Sequence, residues 1–263
     1  MVQPLMPDCD PMTLDGGPHG ALLLHGFTGC PQTMRPLARA FAEAGFAVEL
    51  PLLPGHGTAV EDMFGTTWDD WTAAAAAAFG RLTAGCERVV IAGLSMGATL
   101  GLWLCTRYAH VAGLVCVNPL VRVPADVVGL VHDLLEGGET SIPAIAGDIA
   151  DPEGHEQAYP QTPLEPLLSL AEGADQLRPK LGTISCPMLL MTSPQDHVVA
   201  PANSDELAEA VAIPLDRVSL DRSYHVATVD YDRDVICSRA VAFAQRVTAS
   251  ASPAEGTQGS PAV

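Results

Sequence analysis

Residues 88–108 read RVVIAGLSMGATLGLWLCTRY, and they decide the fold. Arg88 to Ala92 is a short run of β-branched and apolar residues, the pattern of a buried strand. Gly93 to Gly97 is a G-x-S-x-G turn, and Ala98 to Tyr108 has helical composition. Strand, sharp turn and helix in that order is the context in which such a serine acts as a nucleophile. Glycines flank Ser95 because a Cβ would clash in so tight a corner. The serine is pushed out at the carboxyl end of the strand, and the helix N-terminus behind it favours developing negative charge. A glycine-rich turn carrying an ordinary surface serine is the plainer alternative.

The same rhythm continues on both sides. Ala21–Leu24 reads as a strand ended by His25-Gly26, and residues 33–44 as a helix stopped by Gly45. Phe46–Leu50 is a further strand. Residues 51–66 form a loop, and a helix starts after Thr67, with Asp69 and Asp70 in its first turn. Gly113–Val117 is the fourth strand, Met188–Thr192 the fifth and Arg217–Leu220 the sixth. Helices are expected over 203–212 and 232–247. Alternating short apolar strands and helices indicate an α/β fold with a mainly parallel sheet. Residues 120–182 break the rhythm and are too long for a plain connection. They read as a partly helical insertion, which divides the core into 1–119 and 183–247. Residues 248–263 are low-complexity and expected to be disordered.

A serine nucleophile needs a base, and the base an orienting carboxylate. In a fold of this kind they follow the serine in the order acid, then histidine. Asp196 follows the fifth strand and His225 the sixth, so both project from the carboxyl edge that carries Ser95. Asp196 could instead be a turn residue beside Pro194, and His225 a core or surface histidine. His197 shares the loop of Asp196 and is poorly placed to be its partner. His56 reads as a loop-ordering residue. Asp221 and Asp230 are weaker acid candidates because they flank His225 on its own loop. An oxyanion hole needs two backbone N–H groups. Met96, after the nucleophile, supplies one, and Phe27, in the loop after the first long strand, is the candidate for the other.

Composition narrows the partners. Of 263 residues, 48% are hydrophobic and 17% charged, which is globular. The net charge is 13 − 31 = −18, and Lys180 is the only lysine. Nucleic acid and anionic lipid are therefore not expected partners. The seven cysteines show no C-x-x-C pair and sit mostly in apolar runs. They read mostly as core thiols, suited to a reducing compartment. The first residues, MVQPLMPDCDPM, lack a basic and an apolar region, so no secretory signal is expected. No run approaches the length of a membrane span. A cytoplasmic monomer or weak homodimer, free of metal and cofactor, is the expectation.

LLLHGFTG (22–29), LPGHG (53–57), GLSMG (93–97), SPQDHVV (193–199) and SYHVAT (223–228) together resemble the bacterial monoacylglycerol lipase and carboxylesterase family of α/β-hydrolases. The resemblance runs from about residue 20 to 247 and includes Trp68 and Trp71. It implies an α/β-hydrolase fold, a Ser95–Asp196–His225 triad, an oxyanion hole from Phe27 and Met96, and a small cap formed by 120–182. Ala98 departs from the glycine many relatives carry there.

The substrate implied is a medium- to long-chain monoester such as a monoacylglycerol, cleaved through an acyl-enzyme. Apolar Phe27, Met96, Leu120 and Val198 suit an acyl chain. Ile142, Ile145 and Ile149 give the insertion an apolar character, with Ile145 a candidate substrate contact. The resemblance implies that Glu156 meets the alcohol; a solvated acidic residue is the plainer reading. A short-chain carboxylesterase, a C–C hydrolase or a cofactor-free peroxidase would use the same triad. A ligand receptor on a hydrolase scaffold is the non-enzymatic alternative.

Overall fold

The computed structural model describes residues 3–145 and 147–249. Its frame is a seven-stranded sheet. The strands are β1 (Met12–Leu14), β2 (His19–Leu24), β3 (Ala47–Leu50), β4 (Arg88–Leu94), β5 (Val111–Val117), β8 (Met188–Thr192) and β9 (Leu215–Ser219). Their order in space is β1-β3-β2-β4-β5-β8-β9, and all neighbours are parallel except β1 with β3. The strand carrying the G-x-S-x-G turn is thus the central one, between β2 and β5.

Side chains of the inner strands alternate between two apolar layers, as the two-residue strand period requires. Leu22, Leu24, Ile91, Leu114, Cys116 and Leu190 face one layer. Leu23, Val90, Ala92, Val115, Val117 and Leu189 face the other. The first layer is covered by α2 (Trp68–Gly85) and α3 (Met96–Arg107), the second by α1 (Arg35–Glu43) and α7 (Arg233–Ala249). Residues buried on both faces read as continuous apolar runs, which is why these strands show in the sequence.

Thr67 caps α2 as expected. Its backbone N–H and hydroxyl both donate to Asp70 Oδ2, at 2.9 and 2.7 Å. The turn at Pro31–Met34 is a 3-10 segment, and α1 follows it. The expected tail lies outside the described residues from position 250 onward. Thr248 and Ala249 instead complete the last turn of α7. Among the described residues no helix is long and apolar enough to cross a membrane.

The segment 120–182 contains α4 (Ala125–Glu136), a two-stranded hairpin of β6 (Ser141–Pro143) and β7 (Gln161–Pro163), and α5 (Leu164–Leu177). Three-residue strands carry too little pattern to read from sequence. α5 packs on α2 and α3, with Leu170 and Leu177 in the first apolar layer. Gly173 is required there: a Cβ would sit 2.3 Å from the Trp68 ring.

The cysteines correct one expectation. Cys105, Cys116 and Cys186 are buried thiols, but Cys9 and Cys30 form a disulfide. The cause is the docking of the N-terminal arm. Met6 N–H donates to Gly57 O, and Arg35 binds the carbonyls of Asp8 and Asp10 and the Asp10 carboxylate. That path brings Cys9 to Cys30 across 21 residues of sequence, a pairing no local pattern announces. A disulfide also removes the support that unpaired thiols lend to a reducing compartment. Closing a loop of this length is worth about 3 kcal/mol. Unfolded without reductant, the protein should react with five equivalents of a thiol reagent, and with seven after reduction. Seven in both conditions would show that the bond does not form.

Candidate active site

The turn between β4 and α3 is built by exclusion. A Cβ on Gly93 would lie 2.3 Å from Gly97 C, and one on Gly97 would lie 2.0 Å from Leu24 O. Both contacts are with backbone and cannot relax. Ser95 between them has φ 54° and ψ −120°. This left-handed backbone costs a non-glycine residue energy, and it turns the side chain out of the sheet edge. Ser95 N–H donates to Val117 O at 3.0 Å, tying the turn to the end of β5. α3 begins at Met96, two residues earlier than the sequence pattern indicates. Its first N–H groups therefore lie beside Ser95 with no acceptor a turn back.

Asp196 and His225 meet. His225 Nδ1–H donates to Asp196 Oδ2 at 2.7 Å, and both side chains are almost fully buried. The other carboxylate oxygen accepts N–H bonds from Val198 at 2.8 Å and Val199 at 2.7 Å. These bonds aim the Asp196 carboxylate at the imidazole. Its bond to Nδ1 fixes the tautomer and leaves Nε2 with a lone pair, as a general base requires. Ser95 Oγ makes no hydrogen bond among the described residues. Catalytic contacts of this kind are often long before substrate arrives.

The loop after β2 runs beside the serine: a Cβ on Gly26 would lie 3.6 Å from Ser95 Cβ. Neither the Phe27 nor the Met96 N–H is bonded within the described residues, so both can serve an oxyanion. Beneath the loop lies a packed aromatic group. The Phe27 ring stands edge-on to Trp71 at 5.8 Å, and the His25 ring stands edge-on to His56 at 5.0 Å. Trp71 Nε1–H donates to Pro54 O. Leu53 N–H donates to His25 Nε2, so the ring proton sits on Nδ1 and donates to Gly26 O. This bond sets the carbonyl before Phe27 and so aims the Phe27 N–H. Burial pushes His25 down to about 3, helped by neighbouring His56, and burial pushes His56 down to about 4.

Glu156 is brought to the site and Ile145 is not. Glu156 Oε1 lies 3.3 Å from where a Gly29 Cβ would be, and Oε2 accepts Gly147 N–H. Burial raises its carboxyl above the ordinary range, against the lowering by Gly147 N–H and His225. Ile145 stands 65% exposed. The same segment clips the oxyanion loop: Tyr159 N–H donates to Thr28 O, and Gln32 joins His155 O to Gln157 N–H. Asp230 is no acid candidate, because its carboxylate is saturated by the N–H groups of Ala150, Asp151, Tyr224 and Tyr231. Asp221 is occupied by the Ser219 hydroxyl.

Two residues the sequence does not single out complete the site. Asn118 at the end of β5 donates to the carbonyls of His225 (2.8 Å) and Tyr224, and accepts Ser193 N–H. Asp148 accepts His225 N–H. A buried Asn after a strand and an Asp in an irregular segment are ordinary in sequence; only the fold makes them neighbours of His225.

Replacing Asp196 by Asn should lower kcat about 10⁴-fold on an activated ester without unfolding the protein, because the imidazole loses its tautomer. A loss below tenfold would remove Asp196 from the triad. His25 and His56 also give a pH dependence to stability. The unfolded chain takes up their protons below about pH 6.5, while the folded state refuses them until about 4 and about 3. Stability is therefore full above about 6.5 and falls with pH across that window, by about 1.4 kcal/mol per unit per histidine. Urea midpoints between pH 7 and 4 should show His56→Gln with the shallower slope. An unchanged slope would refute the assignment.

Comparisons with known proteins identify the family of the chain. The family described as serine aminopeptidase, S33 (Hydrolase_4) matches residues 18–232. A thermostable monoacylglycerol lipase of Bacillus sp. (strain H-257) is 42% identical over 243 residues, 91% of this chain and 96% of that protein. A carboxylesterase of Bacillus subtilis (strain 168) is 24% identical, covering 90% and 96%. A solved structure from LipS and LipT, two metagenome-derived lipolytic enzymes, superimposes with a TM-score of 0.86 at 34% identity, covering 92% of this chain and 100% of that one. With the family matched over most of its length and the parallel sheet and elbow in place, the chain belongs to the serine aminopeptidase S33 family of α/β-hydrolases.

Proposed function

We propose that the protein hydrolyses carboxylic esters of medium- to long-chain acids and small alcohols, monoacylglycerols among them, through an acyl-enzyme on Ser95. The observation that carries this reading is the buried His225–Asp196 pair at the carboxyl edge of the sheet that also presents the strained Ser95. The 42% identity to a monoacylglycerol lipase supports the substrate class.

In the proposed reaction His225 Nε2 takes the Ser95 hydroxyl proton as Oγ attacks the ester carbonyl. Asp196 stabilises the imidazolium that forms. The Phe27 and Met96 N–H groups bind the oxyanion, each worth about 3 kcal/mol of barrier. The imidazolium then protonates the leaving alcohol, and water repeats the sequence on the acyl-enzyme. Residues 120–182 act as a cap over this site. Within it Glu156 supplies a half-buried carboxylate for an alcohol hydroxyl. The net charge of −18 repels like copies and anionic substrates, which supports a monomer or weak homodimer and an uncharged ester.

The test is a hydrolysis profile over p-nitrophenyl esters from two to sixteen carbons, 1-monoacylglycerols and triacylglycerols, with Ser95→Ala as control. Turnover of monoacylglycerols, none of triacylglycerols and none by Ser95→Ala is the expected result. Rates confined to short p-nitrophenyl esters would remove the glyceride reading. Hydrolysis retained by Ser95→Ala would remove the nucleophile.

A further inference from the structure

Three independent elements hold His225, and one of them comes from the insertion. Its ring is held by Asp196 on the loop after β8, and its carbonyl by Asn118 at the end of β5. Its N–H donates to Asp148 Oδ2 at 3.1 Å. Asp148 lies between β6 and β7, far from the core strands in sequence. The same carboxylate oxygen accepts His197 N–H at 3.1 Å, and Oδ1 accepts the His197 ring Nδ1–H at 2.8 Å. One side chain thus joins the loop of the triad acid to the loop of the triad base. It is 8% exposed, whereas the His197 ring is 57% exposed and rests edge-on against Tyr224.

The segment around Asp148 is itself fixed to the His225 loop. Val226 N–H donates to Asp148 O. Asp230, beyond His225, receives the N–H groups of Ala150 and Asp151 as well as that of Tyr224. Each segment therefore lends the other a carboxylate. Burying these N–H groups without acceptors would cost about 1–3 kcal/mol apiece, so the two segments stay registered.

We infer that Asp148 is a positioning residue for the base: it sets the peptide of His225, and with it the direction of Nε2 towards Ser95, while touching neither substrate nor reacting atoms. The inference rests on the Ser95–Asp196–His225 reading. It makes the placement of the insertion a determinant of the rate step and not only of substrate fit. Angular error at the base is costly, since a displacement of about 1 Å can lower a rate about 100-fold.

The chemistry of the contact separates geometry from charge. In Asp148→Asn the carboxamide oxygen can still accept both backbone N–H groups. Its NH₂ then faces His197 Nδ1, which can present a lone pair in the other neutral tautomer. In Asp148→Ala both N–H groups lose their acceptor. The experiment measures kcat and KM on p-nitrophenyl butyrate per active site, with sites counted by complete titration with a fluorophosphonate. The low-field proton NMR signal of His225 Nδ1–H is recorded alongside.

Asp148→Ala should lower kcat about 100-fold with KM within about threefold, and should broaden or shift the His225 signal. Asp148→Asn should stay within about fivefold of the parent and keep the signal. Counting sites makes the result independent of how much protein folds. Unchanged kcat per site in Asp148→Ala, or a loss confined to KM or to the number of sites, overturns the inference. So does an Asn variant as slow as the Ala variant, which would assign the effect to charge. Hydrolysis retained by Ser95→Ala would instead sink the triad reading and this inference with it.

Discussion

The contact between Gly97 and the Leu24 carbonyl is the constraint on which the rest depends. No Cβ fits there, and the approach lets α3 start directly at the end of β4. Because β4 is central, its carboxyl end has neighbours on both sides. β2 brings the His25–Gly29 loop, and β5 brings the Val117 carbonyl and Asn118. A serine turned outward at an edge strand would have half these partners. Central placement and a corner with no room for side chains therefore together turn an ordinary hydroxyl into one ringed by loops.

Apolar residues such as Phe27, Val226 and Ala227 anchor those loops, and backbone hydrogen bonds to a few polar side chains order them. Asp196, Asp148, Asp230 and Asn118 receive or donate nearly all of them around the base. Carboxylates suit this work because each oxygen accepts more than one N–H, and charge-assisted bonds are about twice as strong as neutral ones. Under the oxyanion loop the same task falls to a neutral imidazole. His25 accepts on one nitrogen and donates on the other, which a protonated ring could not do. Burial keeps it in that form.

What the sequence discloses follows from interaction range. The inner strands are legible because both faces are buried and the run is continuous. The Thr67 cap is legible because its partner is three residues away. Ser95, Asp196 and His225 stand out because each ends a readable strand, and the structure joins the last two. The Cys9–Cys30 bond, the β6–β7 hairpin and Asp148 were hidden for one reason. Their partners lie 18 to 77 residues away along chain that carries no periodicity. The start of α3 reads two residues late because Gly97 looks like part of the turn, although its lack of a Cβ is what allows the helix to begin at Met96.

The insertion is the part where sequence pattern and physical role diverge most. By composition it is a Pro- and Gly-rich excursion. In the structure its 147–159 stretch is bonded at one end to the His225 loop through Asp148 and Asp230, and at the other to the loop after β2 through Tyr159 and to the Pro31–Met34 turn through Gln157. The loop of His225 and the loop after β2, to which the proposed reaction gives proton transfer and oxyanion binding, are thereby spanned by one short stretch that also carries Glu156. Any movement of that stretch is felt at both ends, because it would leave several partly buried N–H groups without acceptors. Coupling between the insertion and the catalytic geometry then needs no separate device. It follows from bonding one stretch of the 120–182 segment both to the His225 loop and to the loop after β2.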